Sequence, residues 1–259
     1  MIYKGKFKII DNLITACDYA FLLNRIEESM VKKYKLLVSP IASHTLVRAH
    51  YNLKLKNVLN KFDYLVPDSQ WVKRSISFLY GKKYRLKKRV YGPDLMLRIC
   101  KKAEKNKWLI FFYGTNKRTL DMLNIKIRRL FPKLIITGFE PSKYRELKDV
   151  EIKSLSKLIK KRKVDIIFIA IGSPNQEILG YKLSKFIKGP LIIVVVGAAF
   201  DFISGIKRQA KKWMQEWGIE WAYRLIQEPK RLLFRYSCLS LIFINRILFS
   251  KLKSVLNFT

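Results

Sequence analysis

Five short stretches of this sequence combine small, polar and charged residues in a way that suits a phosphate-bearing ligand. They are Ser39-Pro40, Asp68-Ser69-Gln70, Gly114-Thr115-Asn116, Gly172-Ser173-Pro174-Asn175-Gln176-Glu177 and Gly197-Ala198-Ala199-Phe200-Asp201. Each follows a short apolar run. In three of them a glycine precedes a helix or loop, where bare backbone N–H groups and the positive end of a helix can approach an anion. Asp68, just past Pro67, is the carboxylate best placed to act as a general base. Its competing role is to cap a helix beginning near Ser69. No Asp-x-Asp pair is present to hold a metal-bound diphosphate. The charge of such a ligand would then be met by arginine, lysine or backbone dipoles. Arg89, Arg208, Arg224 and Arg231 are the candidates, each of which also reads as an ordinary surface group.

Other chemistries lose their support. Neither a Gly-x-Gly-x-x-Gly nor a Gly-x4-Gly-Lys-[Ser/Thr] loop occurs, which removes the main argument for dinucleotide or P-loop binding. His44 and His50 stand six residues apart with no cysteine or carboxylate cluster nearby, so no metal site is expected. Cys17, Cys100 and Cys238 are far apart and form no metal or redox spacing. They fit a reducing compartment. No Gly-x-Ser-x-Gly elbow is present.

The stretches must be held by regular elements, and periodicity supplies them. Strands are expected over Lys35–Ser39, Tyr64–Val66, Trp108–Tyr113, Leu134–Gly138, Asp165–Ile171 and Leu191–Val196. Helices are expected over Ala42–Lys61, from Pro93, and over Lys117–Leu130, Ile152–Lys161 and Asn175–Phe186. Continuous apolar strands such as IIFIAI and LIIVVV indicate a sheet covered on both faces. Strands alternating with helices make this an α/β, largely parallel, doubly wound domain. Ligands bind such sheets at the carboxyl ends of the strands, where the five stretches fall.

The chain carries 53 Lys and Arg against 19 Asp and Glu, a formal charge of +34. That field favours phosphate-rich partners: nucleotide diphosphates, anionic lipid or nucleic acid. Beyond residue 205 the texture changes. Eleven basic residues run from Lys207 onward against Glu216, Glu220 and Glu228, and Trp213, Trp217 and Trp221 recur at helical spacing. The end of the chain, LLFRYSCLSLIFINRILFSKLKSVL, is apolar with spaced positive charges, the composition of a helix lying in a membrane interface. No run of ~18 uncharged apolar residues is present, so no spanning segment is expected. The N-terminus shows no signal peptide. Residues 1–205 therefore read as the main domain and 206–259 as a basic, amphipathic, membrane-associating appendage.

Three motifs in order resemble the WecG/TagA/CpsF group of bacterial glycosyltransferases, glycosyltransferase family 26. GAAFDFISGIKRQAKKWMQEWGIEWAYRLIQEPKRLLFRY, at 197–236, is similar to its GAFD-x3-G-x3-RAP and G-x-E-W-x-Y-R-L-x2-E-P-x-R segments. IGSPNQE at 171–177 is similar to G-x-P-K-Q-E, and KRVYGPDLM at 88–96 to R-V-x-G-x-D-L. The resemblance runs from about residue 10 to 240. It implies a Rossmann-like fold and a metal-independent, inverting transfer from a UDP-sugar, N-acetylmannosamine-type or hexose, to a sugar on a polyprenyl diphosphate. The setting it implies is cell-surface polysaccharide or teichoic acid synthesis, peripheral on the inner membrane face, without a cofactor and with room for a homo-oligomer. By matching positions it implies Asp68 as catalytic base. Ser39, Arg89, Gly114, Gly172, Gln176, Gly197 and Asp201 would line the donor site, with Arg208, Arg224 and Arg231 as appendage arginines. Departures at Ile41, Ser69, Asn175 and 209–211 bear on sugar choice more than on reaction type. The rival readings are a basic nucleic-acid-binding protein and a non-catalytic scaffold of a polysaccharide assembly complex.

Overall fold

The computed structural model describes residues 1–256, except the side chains of Arg231 and Arg235. It opens with a hairpin, β1 (Tyr3–Ile9) and β2 (Asn12–Cys17), followed by α1 (Tyr19–Lys32). The alternating part runs β3 (Leu36–Ile41), α2 (Ser43–His50), α3 (Leu53–Leu59), β4 (Tyr64–Pro67), α4 (Gln70–Tyr80) and α5 (Gly92–Asn106). It continues β5 (Ile110–Gly114), α6 (Lys117–Leu130), β6 (Ile136–Glu140), α7 (Asp149–Lys161), β7 (Ile166–Ala170), α8 (Asn175–Phe186), β8 (Ile192–Val195) and α9 (Ala199–Ile203). The end is helical: α10 (Lys212–Trp217), α11 (Glu220–Gln227) and α12 (Pro229–Leu256).

The six central strands form a parallel sheet in the order β4-β3-β8-β7-β5-β6. Side-chain alternation divides the core between its two faces. Ile167, Ile169, Ile193 and Val195 point into one cluster, and Ile166, Phe168, Ile192 and Val194 into the other. This is why the strands read as unbroken apolar runs: both faces are covered. The expected α/β, Rossmann-like architecture is what the chain adopts. From β5 the chain crosses to β6 on one side, and from β7 to β8 on the other. The crevice at their carboxyl ends is therefore a topological switch point, where open sheets bind ligands.

Three expectations change. The helix expected over 42–61 is two helices, because Asn52 turns the chain and caps α3, its side chain accepting the Leu55 N–H. The N-terminal hairpin and α1 were not anticipated. β2 lies against β4 outside the main sheet, so no crossover pattern announces it. The tryptophans at 213, 217 and 221 do not share one helix, because Gly218, at φ +85°, ends α10. Trp213 and Trp217 meet edge to face, while Trp221 turns to Tyr236.

α12 has 28 residues, about 42 Å at 1.5 Å per residue. Within Leu232–Leu256 an 18-residue window has a mean hydropathy of 1.6, so by length and composition the helix could cross a bilayer even though no uncharged run is that long. Its packing describes it better. Leu232, Leu239, Phe243 and Ile247 are buried on one face, the last three joining the core cluster beside α2 and α4. On the opposite face Phe234, Leu241, Leu248, Phe249 and Leu252 are exposed. The helix is thus apolar on both sides and docked on one.

Candidate functional site

Asp68 leaves β4 at the carboxyl edge of the sheet, and its surroundings decide between base and cap. The cap of α4 is Ser69, whose hydroxyl accepts the Val72 N–H. Asp68 is left to turn away from that helix. Its Oδ1 accepts the Gly92 N–H at 2.9 Å, at the start of α5, which fixes the carboxyl group against a helix N-terminus. Burial raises its pKa above the ordinary aspartate range, with Arg89, the Gly92 N–H and Arg224 opposing and Glu220 adding to the rise. A carboxylate that is reluctant to stay charged is a better proton acceptor than a free one.

Two cavities meet at this carboxylate. The first, about 340 Å³, lies over the ends of β5, β7 and β8 and is lined by Thr115, Asn116, Gly172, Gln176, Gly197 and Asp201 among others. The second, about 450 Å³, lies between α4, α11 and α12; polar and charged residues contribute to its lining, but most of its exposed wall is apolar surface. Ala42, His44, Asp68 and Arg224 belong to both.

The floor of the first cavity is tied together by buried polar groups. Gln176 Oε1 accepts the Gly197 N–H at 3.0 Å, and its Nε2 donates to Glu177 Oε1 at 3.0 Å. The Ser39 hydroxyl donates to the same oxygen at 3.4 Å. One chain of hydrogen bonds thus joins the ends of β3, β7 and β8. Glu177 is fully enclosed, and burial pushes its pKa up, opposed by its hydrogen bonds to Gln176, Ser173 and Ser39. Gly114 is needed where it stands: a Cβ there would lie 2.4 Å from the Ala170 carbonyl oxygen, so only glycine lets β5 and β7 end side by side. The turn beyond exposes Thr115, whose hydroxyl donates to Asp201 Oδ1 at 3.4 Å. Asp201 Oδ2 holds Lys207 Nζ at 3.0 Å, and Glu228 holds the same ammonium at 3.1 Å. Tyr144, largely exposed on the loop after β6, forms part of the rim.

Of the residues singled out in the sequence, Asp68, Gly172, Gln176, Gly197, Asp201 and Arg224 come together around the first cavity. Ser39 and Gly114 lie beneath it as supports rather than in its lining. Arg89 faces the second cavity, paired with Glu220 Oε2 at 2.5 Å and set over the Tyr91 ring. Arg208 is exposed and lines neither cavity; its carbonyl accepts from Gln227. Arg231 lies in α12, but its side chain is outside the described residues. Sequence reasoning passed over Lys207, Tyr144, Glu177 and Glu220. Glu177 and Glu220 sat inside the quoted motifs and went unread. No local pattern marks Lys207 or Tyr144. Arg224 is nearly enclosed. Burial works against its charge, while Tyr236, Glu220, Tyr91 and Asp68 hold its pKa above the ordinary arginine value. Among the described residues no group of three or more His, Cys, Asp or Glu side chains could hold a metal ion.

Residues 7–256 match the glycosyl transferase WecG/TagA/CpsF family. Two similar proteins are named N-acetylglucosaminyldiphosphoundecaprenol N-acetyl-beta-D-mannosaminyltransferase. One, from Bacillus spizizenii strain W23, is 31% identical over 183 residues, covering 71% of this chain and 68% of that protein. The other, from Bacillus subtilis strain 168, is 29% identical over 181 residues, covering 68% of this chain and 65% of that protein. The alignments therefore span about two thirds of those relatives.

Proposed function

This chain belongs to the WecG/TagA/CpsF family of glycosyltransferases, and from that premise we propose that it transfers an N-acetylmannosamine-type or hexose unit from a UDP-sugar to a sugar on a polyprenyl diphosphate. The observation that carries this reading is the place of Asp68, the carboxylate common to a polar cavity at the strand ends and an apolar cavity under the appendage. A nucleotide sugar suits the first, and a lipid-linked acceptor arrives from the second side.

In the first cavity the exposed Tyr144 ring offers a face for the base, and Asp201 with Thr115 offers hydrogen bonds to the ribose. The diphosphate lies toward Lys207, Arg224 and the turns at Gly172 and Gly197. These are pre-aimed positive groups and dipoles, which stabilise a leaving diphosphate without a divalent ion. The acceptor hydroxyl oxygen attacks the anomeric carbon from the face opposite the diphosphate. Its proton passes to Asp68, the bond from carbon to the diphosphate oxygen breaks, and UDP departs with that electron pair. The configuration inverts. On one side the donor is shielded from water by α11, which carries Arg224 into the lining of the cavity.

The outer face of α12 attaches the enzyme to the inner surface of the cell membrane, helped by basic residues facing anionic lipid. A panel of UDP-sugars, offered with a short-chain lipid diphosphate carrying N-acetylglucosamine and followed by mass spectrometry, tests the proposal. Transfer of one hexosamine or hexose is expected, and no transfer from any UDP-sugar would overturn it.

A further inference from the structure

The second cavity lies away from the strand ends where the donor is proposed to bind, yet it shares Asp68, His44 and Arg224 with the first. Its walls change character along its length. Near Asp68 they are polar and charged, with Arg224 and the Arg89–Glu220 pair. Farther out they are largely apolar, with Trp71, Trp221, Leu225, Leu233, Leu241 and Ile244 interrupted by Ser237 and Ser240. Leu233 and Leu241 are also 59% and 62% exposed, so the apolar end of the cavity opens onto the outer surface of α12. A ligand filling this space would be amphipathic, with its polar end beside Asp68 and the Arg89–Glu220 pair and its apolar end emerging along the exposed side of α12.

We infer that this cavity binds the first isoprene units of the acceptor, next to its diphosphate. The chain then leaves between α11 and α12 into the bilayer. This rests on the function proposed above. The size fits a stub and not a whole polyprenyl chain: about 450 Å³ lies within the roughly 300–1,000 Å³ that enclose a drug-sized ligand. The lipid is then a specificity element and not merely an anchor. An acceptor with its first isoprenes should be used better than its head group even where no membrane is present.

Two measurements in detergent solution test this. The first compares kcat/KM for N-acetylglucosamine diphosphate esterified to a C15 prenyl chain with that for the methyl ester. The prenyl acceptor is expected to be preferred by ~10-fold or more, the effect of filling an apolar pocket, and Ile244→Trp, which fills the cavity, is expected to collapse that ratio. Leu241→Trp serves as a second variant, with thermal melts to confirm folding. Equal kcat/KM for the two acceptors in the parent, or a ratio unchanged in both folded variants, would overturn the inference. The second measurement is independent of turnover. A prenyl acceptor with a diazirine on its second isoprene should label the peptides of α4, α11 or α12 saturably. Labelling elsewhere, or labelling that does not saturate, would overturn it. Saturable labelling without transfer would count against the proposed reaction and leave the cavity assignment standing; transfer without prenyl preference would do the reverse.

Discussion

Arg89 and Glu220 are 131 positions apart in the chain and meet at 2.5 Å, each side chain about a tenth exposed. The first belongs to the segment leading into α5, the second begins α11, and Tyr91 donates its hydroxyl proton to the other oxygen of Glu220 at 3.1 Å. This pair clips the appendage onto the body beside Asp68. Two backbone clips support it: Gln70 donates to the Gln215 carbonyl and Arg74 to that of Trp217.

Glu220→Ala leaves Arg89 buried without its partner, and breaking such a pair costs about 3–5 kcal/mol. The variant should melt earlier, be cleaved faster by protease between residues 212 and 228, and transfer less even to a water-soluble acceptor. An unchanged melting temperature with an unchanged cleavage pattern would show that the clip is idle.

Asp68→Asn should lower transfer by ~10²–10⁴, the usual cost of losing a general base, while UDP binding persists. It should also raise the melting temperature at pH values above the folded pKa of Asp68. The sign follows from the raised pKa: a carboxyl whose folded pKa exceeds its unfolded one favours the fold at low pH, and that contribution is lost as pH rises through the folded pKa. Above the folded pKa the ionised Asp68 therefore opposes the fold, and the amide relieves it. The gain should shrink as pH falls below the folded pKa. Turnover within about threefold of the parent would place the base elsewhere.

Glu177 is pushed in the same direction by burial, which favours its neutral form. Glu177→Gln should keep UDP binding close to the parent and remove the loss of stability expected as pH rises through the Glu177 pKa. Glu177→Ala strands the Gln176 amide and the Ser39 hydroxyl, at about 1–3 kcal/mol for each unsatisfied group. It should weaken UDP binding through the displaced Gly197 turn. Calorimetry of UDP binding to both variants checks this; equal affinity in Glu177→Ala would detach the buried chain from the donor site.

Transfer should need no divalent ion and should persist in excess chelator. Lys207, Arg224 and the turns at Gly172 and Gly197 line the first cavity, and among the described residues no cluster of His, Cys, Asp or Glu is suited to hold a metal ion. Activity lost in chelator and restored by magnesium or manganese would require a metal site that the residues described here do not suggest.

Phe234→Ser with Phe249→Ser, both on the exposed face of α12, should reduce co-sedimentation with anionic vesicles. High salt should weaken only the electrostatic part, up to ~1 kcal/mol for each basic residue at the surface. Vesicle binding equal to the parent would move the membrane contact elsewhere. Tight filter binding of nucleic acid at physiological salt would revive the rival partner suggested by the charge.

Local pattern was enough to reveal the sheet, most of its helices and the glycine-bearing strand ends, because a doubly covered parallel strand and its crossover helix are short-range arrangements. Asp68, Gln176 and Asp201 could be placed at the ligand edge for the same reason: Asp68 directly follows β4, and Gln176 and Asp201 lie in the first turns of the helices after β7 and β8, strands whose apolar runs are visible. Roles that depend on residues distant in sequence were not. That Ser69 rather than Asp68 caps α4, that Arg89 is held by Glu220, and that Ser39 supports the floor instead of lining it are facts of side-chain reach across the fold. The single apolar stretch at the end of the chain shows the difference most plainly. Its composition permits a buried helix, a surface helix or a span. Only docking of Leu239, Phe243 and Ile247 against the body decides which face is left exposed, and it creates a second cavity that no segment of sequence contains.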